Sequence, residues 1–162
     1  MLYYDAFSTP VGDSFVVYEE ENLRHIFLFA HEWQTWHTLH PQAVRHPARC
    51  ATAVSQLRQY FRGERQHFHL PLVPAETPFR QRVRQAMLMI PFAQTRSYGE
   101  LARLIGSAKA ARAVGQACRT NPYPLVVPCH RVIASDGRLG GYAGNHTDVK
   151  DWLIRWERNQ CE

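Results

Sequence analysis

The alternation of apolar and polar residues changes period partway along the chain. Leu2–Phe7, Asp13–Tyr18 and Leu23–Phe29 are short runs rich in Val, Phe, Tyr and Ile, and they predict three β-strands. Thr9-Pro10-Val11-Gly12 and Glu19–Asn22 supply the turns between them. Over 47–63 the spacing becomes helical. Ala51, Val54, Leu57, Tyr60 and Phe61 recur three and four residues apart, and Gly63 ends the run. Phe68–Leu72 alternates like one more strand, and Pro71 and Pro74 mark a boundary.

Beyond that boundary helical periods dominate. Thr77-Pro78 combines a capping hydroxyl with proline in the first helical position. Phe79, Val83, Ala86, Met87 and Ile90 form the apolar face that follows, and Pro91 ends it. Ser97, with Glu100 three residues on, predicts a capping box. The short helix it opens turns Leu101, Leu104 and Ile105 inward and stops at Gly106, and a second helix over 108–119 follows with almost no linker. Two short helices around a tight glycine turn are the helix-turn-helix pattern, which ordinary helical hairpins share. The expected fold is α/β of the α+β kind. A small sheet-plus-helix domain over 1–73 precedes a helical domain over 74–162 with a winged-helix-like helix-turn-helix.

Composition removes several classes. The chain has 162 residues, 45% hydrophobic and 12% aromatic, enough apolar surface to offset chain entropy. No apolar run approaches the roughly 20 residues of a membrane span, and Met1-Leu-Tyr-Tyr-Asp carries no basic, apolar leader pattern. Cys50, Cys118, Cys129 and Cys161 form no C-x-x-C pair and no disulfide framework, which suits a reducing, cytoplasmic compartment. Residues 1–73 hold six Lys/Arg against seven Asp/Glu, net −1; residues 74–162 hold thirteen against seven, net +6. A basic half fits either a polyanionic partner such as nucleic acid or a solubilising surface.

Two segments of the basic half carry candidate chemistry. Ala108–Arg119 shows Ala and Gly on one face, where a base-reading helix would usually show Asn, Gln or Arg. Such a face suits tight helix packing, or a helix lying in a narrow minor groove with Arg112 projecting as a wedge. Asn121–Ile133 contains three prolines, predicting a stiff, extended segment that presents Cys129 and His130. A buried cysteine is usually inert filling, but a cysteine beside His and Arg suits a nucleophile, because a low thiol pKa needs such neighbours. In an extended chain adjacent side chains diverge, so His130 would reach Cys129 through a water. A cysteine-dependent hydrolase would use the same residues, together with an oxyanion hole.

Pro128-Cys-His-Arg-Val132 resembles the active-site motif of the O6-alkylguanine-DNA alkyltransferases. Ser97-Tyr-Gly-Glu-Leu-Ala102, Ala110-Ala-Arg-Ala-Val-Gly115, Asn121-Pro122, Gly141-Tyr-Ala-Gly144 and Lys150–Glu157 follow the family's order and spacing. The resemblance implies DNA repair by direct reversal, in which Cys129 accepts the alkyl group from O6-alkylguanine once per molecule, with no cofactor. It further implies that Glu157, His130 and a water relay the thiol proton, Tyr98 donates to guanine N3, and Asn121 braces the active loop. Arg112 would fill the gap left by the flipped base, with Ala111, Ala113 and Gly115 on the DNA-binding face. Val132, Tyr142 and Ala143 would bind the base. The carbonyls of Cys129 and Val132 would accept from its exocyclic amine, and the Ala143 amide would face O6. Implied too are a duplex partner bound through the minor groove and a monomeric state. Relatives that bind lesions without transfer lack the cysteine. Asn145 stands where the family often has a second glycine, and one extra residue precedes Lys150; both bear on the alkyl side of the pocket. His31, His37, His40, His46 and Cys50 fit no compact ligand spacing, so loop histidines without a metal are expected, with Trp33 and Trp36 partly packed.

Overall fold

Strand β2 (Gly12–Glu19) buries Ser14, Val16, Val17 and Tyr18, although neighbours on a strand point to opposite faces. Both faces of its sheet must therefore be covered. β2 lies between β1 (Leu2–Thr9) and β3 (Asn22–Phe27), antiparallel to each. Gly12, at φ +122°, closes the β1–β2 turn, a conformation that favours glycine. A two-residue strand β4 (Val44–Arg45) adds parallel to β1, giving the order β3-β2-β1-β4. Helix α1 (Ala30–Leu39) packs against β2 and β3, and α2 (Pro47–Phe61) against β1 and β2. α2 buries Cys50, Ala53, Val54, Leu57 and Tyr60.

These elements make up the first of two compact units, Met1–Val73; the second is Pro74–Glu162. The computed structural model describes residues 1–142 and 145–161.

Two elements of the first unit differ from the sequence expectation. The segment read as a loop of histidines is the helix α1. Trp33, Trp36, His37 and His40 recur at helical spacing, but two of the four positions carry imidazole, which hides the apolar stripe. Their rings stack: His37 on Trp33 at 4.7 Å, His40 on Trp36 at 4.2 Å, and Phe15 on Trp33 at 4.7 Å. Trp33 is buried in a cluster with Val17 and Phe27. Conversely, Phe68–Leu72 is not a strand. It makes one parallel bridge, Leu23 to Leu72. The prolines at 71 and 74 have no N–H to continue a ladder.

The second unit follows its capping signals. Thr77 Oγ1 accepts the Arg80 N–H at 3.1 Å and opens α3 (Pro78–Leu88). The Ser97–Glu100 capping box opens α4 (Tyr98–Leu104). Gly106, at φ +79°, ends it in a Schellman motif: Ser107 N–H reaches Ala102 O and Gly106 N–H reaches Arg103 O. Helix α5 (Ala111–Arg119) begins three residues later than expected, because Ala110 N–H closes a turn on Ser107 O at 2.8 Å. Leu101 is buried, whereas Leu104 is exposed rather than inward-facing. Val114, Ala117 and Cys118 of α5 are buried where it packs on α3 and α4. Strands β5 (Arg96–Ser97) and β6 (Val132–Ile133) pair in parallel, and α6 (Thr147–Gln160) completes the unit. Among the described residues no helix is long and apolar enough to cross a membrane.

Candidate active site

The segment before Cys129 turns instead of extending. Residues 122–127 form bends and turns, with Leu125 at φ +76°, and Cys129–Arg131 make one 3-10 turn. Prolines exclude a ladder here, and the side chain of Asn121 supplies the missing bonds. Its Nδ2 donates to Val127 O at 2.9 Å and its Oδ1 accepts from Tyr123 N–H at 3.0 Å. Cys129 N–H donates to Val127 O at 2.8 Å, so the brace and the thiol-bearing residue share one carbonyl. The β5–β6 pairing joins the other side of the site. Arg96 pairs with Val132 and Ser97 with Ile133, which ties the strand after Cys129 to the residues just before Tyr98.

His130, Arg131, Lys150 and Glu157 are all sealed here. His130 Nε2 lies 2.7 Å from Glu157 Oε2. Arg131 grips the same carboxylate through two nitrogens, Nε to Oε1 at 2.9 Å and Nη2 to Oε2 at 3.0 Å. Its Nη1 donates to Ile90 O, and Ala93 N–H donates to Glu157 Oε1. Burial opposes a charge on Glu157, but His130 and Arg131 together hold its pKa well below the usual carboxylate range. Burial pushes the His130 pKa down against the pull of Glu157. The anion is therefore Glu157, and Arg131 neutralises it. His130 is neutral, gives its Nε2–H to the carboxylate, and keeps Nδ1 as a free acceptor.

The thiol differs from the sequence expectation of a low pKa. Burial pushes Cys129 up from the ordinary cysteine value, and the groups pulling it down are Asn121 and Lys150 before any effect of His130 or Arg131. Cys129 is a neutral thiol at rest, and for it to act as a nucleophile a base would have to take its proton. Cys118, also buried, lies 3.6 Å from Met87 Sδ and is pushed to about 12, mainly by burial.

Lys150 is the residue that the sequence reading passed over. Its Nζ donates to Tyr98 Oη at 3.3 Å, to Leu139 O, and to Gly141 O at 3.5 Å. It ties the turn over 139–141 to the phenol and pulls the thiol pKa down. Burial lowers its own pKa to about 8. The signal was present in the Lys150–Glu157 match, but a lysine on an amphipathic helix reads as surface charge. Tyr98 Oη accepts from this lysine, so its own proton remains available to another acceptor. Gly140, at φ +72°, passes so close that a Cβ there would collide with Tyr98 Oη.

A groove of about 720 Å³ opens beside this phenol, lined by Tyr98, Arg112, Gly115, Gln116, Arg119 and Gly140 among others. Arg112 and Ala113 are exposed on α5, Ala111 is half-buried, and a Cβ on Gly115 would sit 3.8 Å from the Tyr98 ring. Val132 is buried on β6, and its N–H closes the 3-10 turn on Cys129 O. Tyr142 is buried, and Ala143 lies outside the described residues. Thus Cys129, His130, Glu157, Asn121 and Val132 come together in one constellation, with Tyr142 and Tyr98 near enough that a charge on the Cys129 sulfur raises the pKa of each. Arg112 and Ala111 line the groove beside Tyr98. The histidines of the first unit take other parts: His37 and His40 stack on tryptophans, and His46 caps α2.

Comparison with known proteins covers both units. Residues 2–74 match the ribonuclease-like domain of 6-O-methylguanine DNA methyltransferase, and residues 78–159 match its DNA binding domain. The chain is 43% identical over 159 residues to the constitutive methylated-DNA–protein-cysteine methyltransferase of Bacillus subtilis, spanning 98% of this chain and 96% of that protein. The crystal structure of the Mycobacterium tuberculosis O6-methylguanine methyltransferase superposes with a TM-score of 0.88 at 38% identity, over 99% of this chain and 94% of that one. The Mycobacterium tuberculosis protein OGT in complex with DNA superposes at 0.86 and 37% identity, over 98% and 94%. The buried cysteine with its histidine–glutamate pair thus stands in a chain that belongs, through both of its units, to the 6-O-methylguanine DNA methyltransferase family.

Proposed function

We propose that the chain repairs O6-alkylguanine in DNA by moving the alkyl group onto its own Cys129, once per molecule. The observation that carries this reading is a neutral, buried thiol beside an imidazole whose far nitrogen is anchored on an ion-paired carboxylate. That arrangement makes a base on demand. The thiol proton passes through a water to His130 Nδ1, and Glu157 stabilises the imidazolium that forms. Sulfur then attacks the alkyl carbon in line with the leaving oxygen. The sulfur–carbon bond forms, the carbon–O6 bond breaks, and its electron pair stays with guanine. Tyr98, held by Lys150, donates its O–H to guanine N3 and improves the leaving group. The departing guanine anion then takes up one proton, so the sum is thiol plus alkylguanine giving thioether plus guanine. A thioether resists hydrolysis, so the reaction ends there.

The target base lies inside a duplex and must be turned out to reach a buried sulfur. The small face of α5, with Ala111, Ala113 and Gly115, suits close approach to a minor groove, and exposed Arg112 suits the space the base vacates. Val132 and Tyr142 would wall the pocket, and Ala143 would complete it. In this reading residues 74–162 bind DNA and transfer the alkyl group, residues 1–73 form a separate α/β domain, and a monomer acts in the cytoplasm. The test is incubation with duplex DNA carrying labelled O6-methylguanine, followed by peptide mapping. One methyl group per chain on Cys129, and no further reaction, is the expected result. Label on Cys50, Cys118 or Cys161, or more than one equivalent, overturns it.

A further inference from the structure

Among the described residues, two buried polar atoms of the second unit make no hydrogen bond: His130 Nδ1 and Tyr142 Oη. Both side chains are sealed, at 0% and 1% exposure. A buried polar group without a partner forfeits its hydration, so such atoms are satisfied by a ligand or an ordered water. The two belong to one place. His130 follows Cys129 in the same 3-10 turn. Tyr142 is held in its neutral form first by burial and then by its nearness to the Cys129 sulfur and the Glu157 carboxylate, the two ends of the proton relay. The other titratable or charged groups around the thiol are Tyr98 from α4 and Cys118 from α5, whose pKa values a charge on Cys129 raises, Lys150 from α6, which lowers the thiol's own, and Arg131, paired with Glu157.

We propose that Tyr142 Oη is a third ligand of the water that carries the proton from Cys129 to His130. The assignment rests on the transfer reading above and makes Tyr142 a positioning residue in addition to a pocket wall. The bonding roles fit. His130 Nδ1 is an acceptor, because Nε2–H is committed to Glu157. The water donates to Nδ1 and accepts from the thiol and from the Tyr142 O–H. Two contacts leave such an oxygen free to swing, whereas three fix it on the line between sulfur and nitrogen. The proton shift then balances: the S–H proton joins the water as one water proton passes to Nδ1, and the water now donates to the thiolate. Tyr142 stays a phenol throughout, so it orients the water without competing for the proton.

Alkylation of Cys129 by iodoacetamide in the DNA-free protein tests this separately from repair, since it reads thiol activation alone. Tyr142→Phe keeps the ring and its packing. The expected result is about tenfold slower alkylation near neutral pH, with the rate–pH curve displaced upward. In a double-mutant cycle, Tyr142→Phe added to His130→Asn should slow the reaction no further than His130→Asn alone, because both residues hold one water. A Tyr142→Phe rate within twofold of wild type across the pH range overturns the proposal, and so do losses that multiply in the double variant. A wild-type protein whose Cys129 is activated in this way but takes no methyl from duplex DNA would overturn the transfer reading and leave the water assignment standing.

Discussion

The first unit keeps its core neutral, and the second buries charge. Among the described residues the buried polar side chains of the first unit are Ser14 and Gln56, around a core of Val, Leu, Ile and aromatic rings. Its titratable groups in and beside the core stay uncharged: burial pushes Cys50 and Tyr18 up to about 12 and half-buried His25 down to about 4. The second unit seals His130, Arg131, Lys150 and Glu157. Desolvating such groups costs several kcal/mol each unless they are paired, so this core gives up stability that an apolar core would keep. The loss is offset by His130, Arg131 and the Ala93 N–H on one carboxylate and by carbonyls around Lys150. In the proposed reaction the same bonds that offset the burial also set the proton acceptor beside the thiol. On that reading chemistry and stability are coupled in the second unit and separate in the first.

The sharpest way to break that comparison uses the two buried cysteines. Cys129→Ser should abolish methyl transfer while leaving duplex binding and the unfolding midpoint near wild type. Cys50→Ser should do the reverse, transferring normally and losing about 1–3 kcal/mol in urea unfolding, as a hydroxyl enters an apolar site. Transfer retained by Cys129→Ser would remove the chemical distinction between the two units.

Glu157→Gln comes next. It leaves Arg131 buried without its counter-ion and His130 without its anchor. We expect a loss of about 3–5 kcal/mol in urea unfolding, and transfer slowed about 100-fold in the protein that remains folded. Glu157→Gln with unchanged stability and rate would mean that the buried ion pairs carry neither burden.

A pH experiment sharpens the other half of the comparison. His25 stacks on Phe27 at 3.9 Å, and its pKa is depressed from 6.5 to about 4. Between those values the unfolded chain binds a proton that the folded one refuses, so stability rises with pH across the window and is lost as pH falls through it. The full difference is at most about 3 kcal/mol. His25→Phe keeps the stack and should flatten that slope between pH 4 and 6.5, measured by urea unfolding at several pH values. A slope left intact would place the acid sensitivity elsewhere.

The smallest effect concerns the exposed arginine. Arg112→Ala should slow repair of duplex O6-methylguanine by about tenfold, since extruding a base costs a few kcal/mol that a stacked guanidinium offsets in part. Reaction with the free base should stay near the wild-type rate. Lys at 112 should restore only part of the loss, because an ammonium keeps the charge without the plane. Equal losses on duplex and free base would assign Arg112 to the pocket or the fold.

Local order was largely legible from the residues themselves. The strands at 2–7, 13–18 and 23–29, the caps at Thr77 and Ser97 and the stop at Gly106 depend on neighbours a few positions apart, and that range is what periodicity and capping chemistry describe. Helix α1 escaped because its inward face is built of Trp and His, which carry no strong apolar signal until their rings are stacked. The strand expected at 68–72 failed for lack of proline donors. Long range decided the rest. Cys129 and His130 could be named as a pair with Arg131 as a charged neighbour, but the partner of Arg131 and the part played by Lys150 depend on folding, which places Glu157, 26 residues from Arg131, within 3.0 Å of it, and Tyr98, 52 residues from Lys150, within 3.3 Å. The direction of the thiol's pKa shift was misjudged for the same reason. Sequence neighbours suggested a charge-stabilised thiolate, whereas burial by chain segments remote in sequence pushes the thiol the other way. The residues determined which groups were available; only the tertiary structure decided which were desolvated, which were paired, and therefore which can move a proton.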